Sequence, residues 1–130
     1  MPISRVVLLL PADLRPEYRE PVARLQALLR RRGIEVSDSG EGVLAAPGAL
    51  TGLGGLLLDH LNGNDRPCGL LNTGGYYSEL MKTVDDGLLE SLVRETQRGR
   101  LIVERDPEIL VQAVADYLPP ETRRQGGGAH

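Results

Sequence analysis

Residues 42 to 55 read Gly-Val-Leu-Ala-Ala-Pro-Gly-Ala-Leu-Thr-Gly-Leu-Gly-Gly, and the fold is decided there. A short apolar run, Val43 to Ala46, breaks into a glycine-rich turn and then into Leu56-Leu57-Leu58-Asp59-His60-Leu61. That is the layout of a buried strand, a tight loop and a helix amino terminus. Such a junction suits an anion, because free backbone N–H groups and the helix dipole point at the loop and glycines let a phosphate approach the main chain. The same glycines also fit plain turn geometry.

Outward from this stretch, strands and helices alternate. Arg5 to Leu10 is a continuous apolar run stopped by Pro11, the pattern of a strand buried on both faces. From Pro16 to Arg32 the apolar positions Tyr18, Val22, Leu25, Leu28 and Leu29 recur at helical spacing, with Gly33 as the stop. Pro21 fits this helix only in its first turn. Ile34 to Val36 is a short second strand; it is separated from the third by a turn alone, so a connecting helix is absent or one strand is vestigial. Cys68 to Asn72 is a fourth strand, Thr73-Gly74-Gly75 a turn, and Tyr77, Leu80, Met81, Val84, Leu88 and Leu92 predict one long amphipathic helix. Arg100 to Val103 is a fifth strand. Asp106-Pro107 starts a last helix whose buried face is Ile109, Leu110, Ala113, Val114, Tyr117 and Leu118, and Pro119-Pro120 ends it. The expected fold is a three-layer α/β/α Rossmann-like domain with a mostly parallel sheet of about five strands. Ligands in that architecture bind at the carboxyl ends of the strands, where the 42–55 loop and the Thr73 to Gly75 turn both fall.

Composition narrows the function. The 130 residues hold four tyrosines, no Phe and no Trp, so aliphatic side chains fill the core. A formal charge of −3 argues against nucleic acid as a partner. Arg30-Arg31-Arg32 suits the last turn of a helix. A single cysteine, Cys68, reads as a core residue in a cytoplasmic protein. The early apolar run is too short for a signal peptide or membrane span. His60 has no Cys or His at ligand spacing, so no metal site is expected. Asp85-Asp86, like Glu79 and Glu90, reads as solvated helix surface. Tyr76-Tyr77 could stack a base, but the pair splits more simply between core and surface. A receiver domain is rejected: the third strand ends in Ala46-Pro47 rather than in a phosphorylatable Asp, and the fifth ends in Glu104-Arg105 rather than in Lys.

The segment Arg66 to Met81, reading Arg-Pro-Cys-Gly-Leu-Leu-Asn-Thr-Gly-Gly-Tyr-Tyr-Ser-Glu-Leu-Met, resembles the Lonely Guy (LOG) phosphoribohydrolases, which typically read KPVGLLNxxGYYxxLL here and carry an aspartate at the place of Asp85. Arg15-Pro16-Glu17-Tyr18 and Arg32-Gly33-Ile34 resemble the first helix of that family and the approach to its second strand. The resemblance runs with gaps from Arg5 to Pro119. It implies a commonly dimeric α/β protein that hydrolyses the N-glycosidic bond of a nucleoside 5′-monophosphate, a family often mislabelled as lysine decarboxylases. An oxocarbenium-like centre needs a nearby carboxylate and a leaving base needs charge or proton assistance. The family supplies these with a glutamate, at the end of the motif PGGxGTxxE, and an upstream arginine.

In this chain Pro47 and Gly48 match that motif, Ala49 replaces its second glycine, Thr51-Gly52 stands where Gly-Thr is expected, and Gly55 takes the place of the glutamate. A segment holding a helix, a strand and another helix is missing upstream, which makes this a shortened and degenerate member. Arg32 lies at about the distance of the family arginine and equally fits a helix-terminal arginine; Glu41 is the carboxylate an active enzyme could recruit. The phosphate-binding residues expected from loop and resemblance together are Gly48, Thr51, Gly52, Gly54, Gly55, Thr73, Gly74 and Gly75, with no cofactor. Residues 1–120 are expected to form one LOG-like domain and residues 121–130 a disordered tail. The leading expectation is a nucleoside 5′-monophosphate-binding protein of impaired catalysis, without nucleic-acid or membrane partners. An active phosphoribohydrolase and a non-catalytic assembly protein are the alternatives. Leu56, Leu57, Leu58 and Leu61 are candidates for self-association, as in a homodimer.

Overall fold

A computed structural model describes residues 3–38, 40–49 and 66–117. Its centre is a five-stranded, all-parallel sheet in the order β2-β1-β3-β4-β5. The strands are β1 (Arg5–Leu9), β2 (Glu35–Val36), β3 (Gly42–Ala45), β4 (Cys68–Leu71) and β5 (Leu101–Glu104). Every residue of β3 and β4 is buried, as expected of central strands covered on both faces. β1 is paired on both sides but less deeply covered: Val6 is buried, Val7 to Leu9 are half-buried, and Leu10 lies beyond the strand and is exposed.

The strand period of two sends alternate side chains to opposite faces, and each face has its own helices. On one face Val6, Leu44 and Leu71 pack with Val22, Leu25 and Leu29 of α1 (Pro16–Arg31) and with Leu110, Val111 and Val114 of α4 (Pro107–Ala115). On the other, Val43, Ala45, Cys68, Leu70 and Leu101 pack with Tyr77 of α2 (Tyr76–Met81) and Leu92 of α3 (Asp86–Gln97). This is the three-layer arrangement. Cys68 is a buried free thiol whose pKa burial pushes up to about 12, in keeping with a core residue.

Three expectations are corrected. The long helix over Tyr77 to Leu92 is two helices, because the Thr83 hydroxyl donates to the Leu80 carbonyl and the Asp85 carboxylate accepts from the Leu88 N–H, capping α3. Asp85 and Asp86 are both exposed, as expected, and Asp85 serves in addition as a cap. Pro21 lies inside α1 rather than in its first turn, so the Glu17 carbonyl lacks the amide donor that any other residue there would supply. In α4 the buried face is set by Leu110, Val111 and Val114, and Ile109 is 51% exposed. The expected Asp106 cap is present, its carboxylate accepting from the Glu108 N–H.

The missing crossover helix has a steric explanation. β2 is only a dipeptide at the sheet edge and ends level with Val6, where β3 begins on the other side of β1. Residues 37–41 need only cross β1. The Ser37 N–H donates to the Val6 carbonyl, the Glu41 N–H donates to the Arg5 carbonyl, and Gly40 lies so close that a Cβ there would sit 2.6 Å from the Arg5 carbonyl oxygen. The Arg66 guanidinium donates to the Gly40 carbonyl at 3.2 Å.

Candidate functional site

Loops following β1, β3, β4 and β5 gather at the carboxyl edge of the sheet. After β3, the Ala49 N–H donates to the Ala46 carbonyl at 3.1 Å, closing a turn with proline second and Gly48 third at φ 86°. That is the type II pattern, which needs a positive φ at its third residue. The place a Cβ would take on Gly48 lies 3.5 Å from Pro11, so this turn abuts the loop after β1.

After β4, Gly74 and Gly75 both take positive φ, 66° and 73°, in a 3-10 turn over Thr73–Gly75. The buried side chain of Asn72 organises it: Oδ1 accepts from the Tyr77 N–H at 2.7 Å and the Ser78 N–H at 3.2 Å, while Nδ2 donates to the Ser78 hydroxyl. The first free amides of α2 are thus spent on Asn72. Tyr77 then reaches under the turn, its phenol donating to the Ala46 carbonyl. This bond ties the β4 loop to the β3 turn, and burial moves the Tyr77 pKa upward. Sequence reasoning missed Asn72 as the organiser; a strand-terminal asparagine before two glycines was the available signal, since such side chains bond nearby backbone.

Where the amino ends of α1 and α2 meet, a hollow of about 370 Å³ is lined by Arg15, Tyr18, Gly74, Tyr76, Glu79, Leu80 and Thr83. Tyr18 and Tyr76 stand edge to face with ring centroids 6.1 Å apart, and Tyr76 meets Tyr77 at 5.0 Å. Tyr77 is buried and Tyr76 half-buried, the split that the sequence predicts. Arg15 is the N-cap of α1 and makes no capping bond. A cation at the positive end of a helix is unfavourable, and among the described residues no carboxylate lies within 4.0 Å of it. Glu79 is instead paired with Lys82 at 3.2 Å. The Arg105 guanidinium stands 3.5 Å from where a Cβ on Gly75 would lie.

The carboxyl edge thus brings together Gly48, Thr73, Gly74 and Gly75. Thr51, Gly52, Gly54 and Gly55, along with Leu50, Leu53, Leu56 to Leu58, His60, Leu61, Leu118 to Pro120 and the tail 121–130, lie outside the described residues. Arg32 and Glu41 are placed at the opposite, amino edge. Arg32 follows the last turn of α1 and its guanidinium donates to the Gln112 side chain. Glu41 immediately precedes β3, and its carboxylate accepts from the Ser4 and Arg5 N–H groups at 2.9 and 3.1 Å.

Those two amide donors hold the Glu41 carboxyl below its ordinary value of 4.5. A carboxylate with a depressed native pKa adds stability that is complete above its unfolded value and fades as pH falls through the native one. Urea unfolding should therefore show Glu41→Gln less stable than the unsubstituted chain at pH 7, with the gap narrowing on acidification below pH ~4.5. A gap that stays constant down to pH ~3 would contradict this linkage.

Among the described residues, no group of His, Cys, Asp and Glu is placed to hold a metal ion, and no helix is long and apolar enough to cross a membrane. No family model matches the chain. It is similar to curated proteins bearing a common name. Probable cytokinin riboside 5′-monophosphate phosphoribohydrolase LOGL2 of Oryza sativa subsp. japonica is 28% identical over 122 residues, covering 88% of this chain and 50% of the relative. Two Arabidopsis thaliana proteins named cytokinin riboside 5′-monophosphate phosphoribohydrolase also match: LOG1, 29% identical over 88% of this chain and 57% of its own length, and LOG4, 30% identical over 85% and 53%. The chain spans about half the length of these relatives.

Proposed function

This chain belongs to the LOG family, and from that premise we propose that it binds a nucleoside 5′-monophosphate at the carboxyl edge of its sheet without cleaving it efficiently. The observation that carries the binding half is the convergence on one edge of two glycine turns, at Gly48 and at Gly74-Gly75, beside a hollow lined by two tyrosine rings and an arginine with no carboxylate partner among the described residues. Doubly wound sheets of strand order 2-1-3-4-5 bind ligands at that edge.

The catalytic half rests on chemistry. Cleaving the sugar–base bond calls for a carboxylate beside the developing cation, and positioned acid–base groups contribute typically ~10²–10⁴-fold. Gly55 stands where the family motif has its glutamate. Glu41, the carboxylate nearest in sequence before the turn, is engaged with the backbone of β1 at the far edge.

Incubation with AMP and related monophosphates tests both halves. A ligand that binds only the native state raises its stability, by about 2.7 kcal/mol at a hundredfold excess over Kd, so melting temperature should rise by several degrees while chromatography finds no free base. Absence of any thermal shift across the nucleotide panel would overturn the binding half. Free base accumulating with enzyme concentration would overturn the other.

A further inference from the structure

We infer that the hollow between α1 and α2 is a subsite for a planar, acceptor-rich ring, the base of the bound nucleotide, which lies against Tyr76 with the Arg15 guanidinium at its edge; this rests on the nucleotide reading above.

The walls of the hollow differ from the turns beside it. Glycine turns offer backbone amides, which suit phosphate oxygens, but the amides at the start of α2 are already taken by Asn72. What the hollow adds is side-chain chemistry: the faces and edges of Tyr18 and Tyr76, the aliphatic wall of Leu80, and Arg15. Its volume, about 370 Å³, falls within the range of small-molecule sites, roughly 300–1,000 Å³. Tyr76 is held from behind by the edge-to-face contact with buried Tyr77, so its ring is oriented before anything binds. Gly74, at φ 66°, lines the hollow without a side chain.

The location of Arg15 points the same way. An arginine at an N-cap provides no cap and opposes the dipole, a local conflict of the kind that marks functional positions. Its five donors match ring nitrogens and carbonyl oxygens at a base edge. A phosphate alone would engage Arg15 but would leave the tyrosine walls unused.

Isothermal titration of the full chain with AMP and with ribose 5-phosphate separates the ring from the rest of the ligand. The unsubstituted chain should bind AMP more tightly than ribose 5-phosphate by about tenfold, the scale of one base on one aromatic ring. Tyr76→Ala should remove that difference and leave ribose 5-phosphate affinity unchanged, which also certifies that the variant is folded. Tyr76→Phe should keep the difference, and Arg15→Gln should reduce it. Equal affinities for the two ligands, or an AMP affinity untouched by both Tyr76→Ala and Arg15→Gln, would overturn the ring subsite while leaving nucleotide binding in place. Failure of the unsubstituted chain to bind either ligand would overturn both.

Discussion

Tyr77→Ala should cost about 3–5 kcal/mol, the range for removing a large buried aromatic side chain, and Tyr77→Phe only about 1 kcal/mol. The ring is 0% exposed and lies in the core between α2 and the sheet, among Val43, Ala45, Leu70 and Leu101. Its deletion leaves a cavity that the neighbouring strands, fixed by their ladders, cannot close. The hydroxyl contributes less because its acceptor, the Ala46 carbonyl, keeps a second donor in the Ala49 N–H. Against a typical stability of about 5–15 kcal/mol, the alanine variant would be near its limit. Urea unfolding reads the two losses directly. Equal losses for Phe and Ala would mean that the bond to Ala46, rather than the packed ring, fastens the two site loops together.

Gly40→Ala is expected to destabilise by about 2–3 kcal/mol, at the upper end of overpacking. The new methyl would lie 2.6 Å from the Arg5 carbonyl oxygen, 2.7 Å from its carbon and 2.9 Å from the Val6 Cα. All three are backbone atoms of β1, which is hydrogen-bonded to strands on both sides. Gly69→Ala is the control. There the close atoms are Leu44 Cδ2 at 2.8 Å, Leu110 Cδ1 at 2.9 Å and Val114 Cγ2 at 3.0 Å, all side-chain ends rather than backbone. Its cost should be smaller, about 1 kcal/mol. A larger loss for Gly69→Ala would contradict the picture of a linker pressed across β1.

These two positions also mark the limits of what the sequence reveals. The parallel sheet is legible because β3 and β4 are short, unbroken apolar runs bounded by glycine, proline and asparagine, and because Asp106-Pro107 announces a helix start. The division of α2 from α3 is hidden, since Val84 and Leu88 continue the helical period across a break caused by the side-chain bonds of Thr83 and Asp85. Periodicity also misjudged α4 by one position, exposing Ile109 and burying Val111. Gly40 looks like any loop glycine until the crossing of β1 is seen.

At the site, the turn glycines could be read from sequence and the hollow could not. Gly48, Gly74 and Gly75 need a positive φ, and glycine is the residue that supplies it without strain. Arg15 and Tyr76, by contrast, belong to different helices and meet only because α1 and α2 begin on opposite faces of the same sheet edge. The resemblance to the LOG family pointed to the turns after β3 and β4, which the parallel topology brings to one edge of the sheet. It also directed attention to Arg32 and Glu41, which the topology carries to the other edge.

A ¹H–¹⁵N titration of the labelled chain with AMP reads nucleotide binding at the carboxyl edge residue by residue. The amide signals of Gly48, Ala49, Gly74 and Tyr76 should move together toward saturation while the nucleotide remains intact in the same tube. Signals moving instead at Ser4, Arg5 and Glu41, no movement at millimolar AMP, or adenine appearing as the titration proceeds would contradict binding without cleavage at that edge.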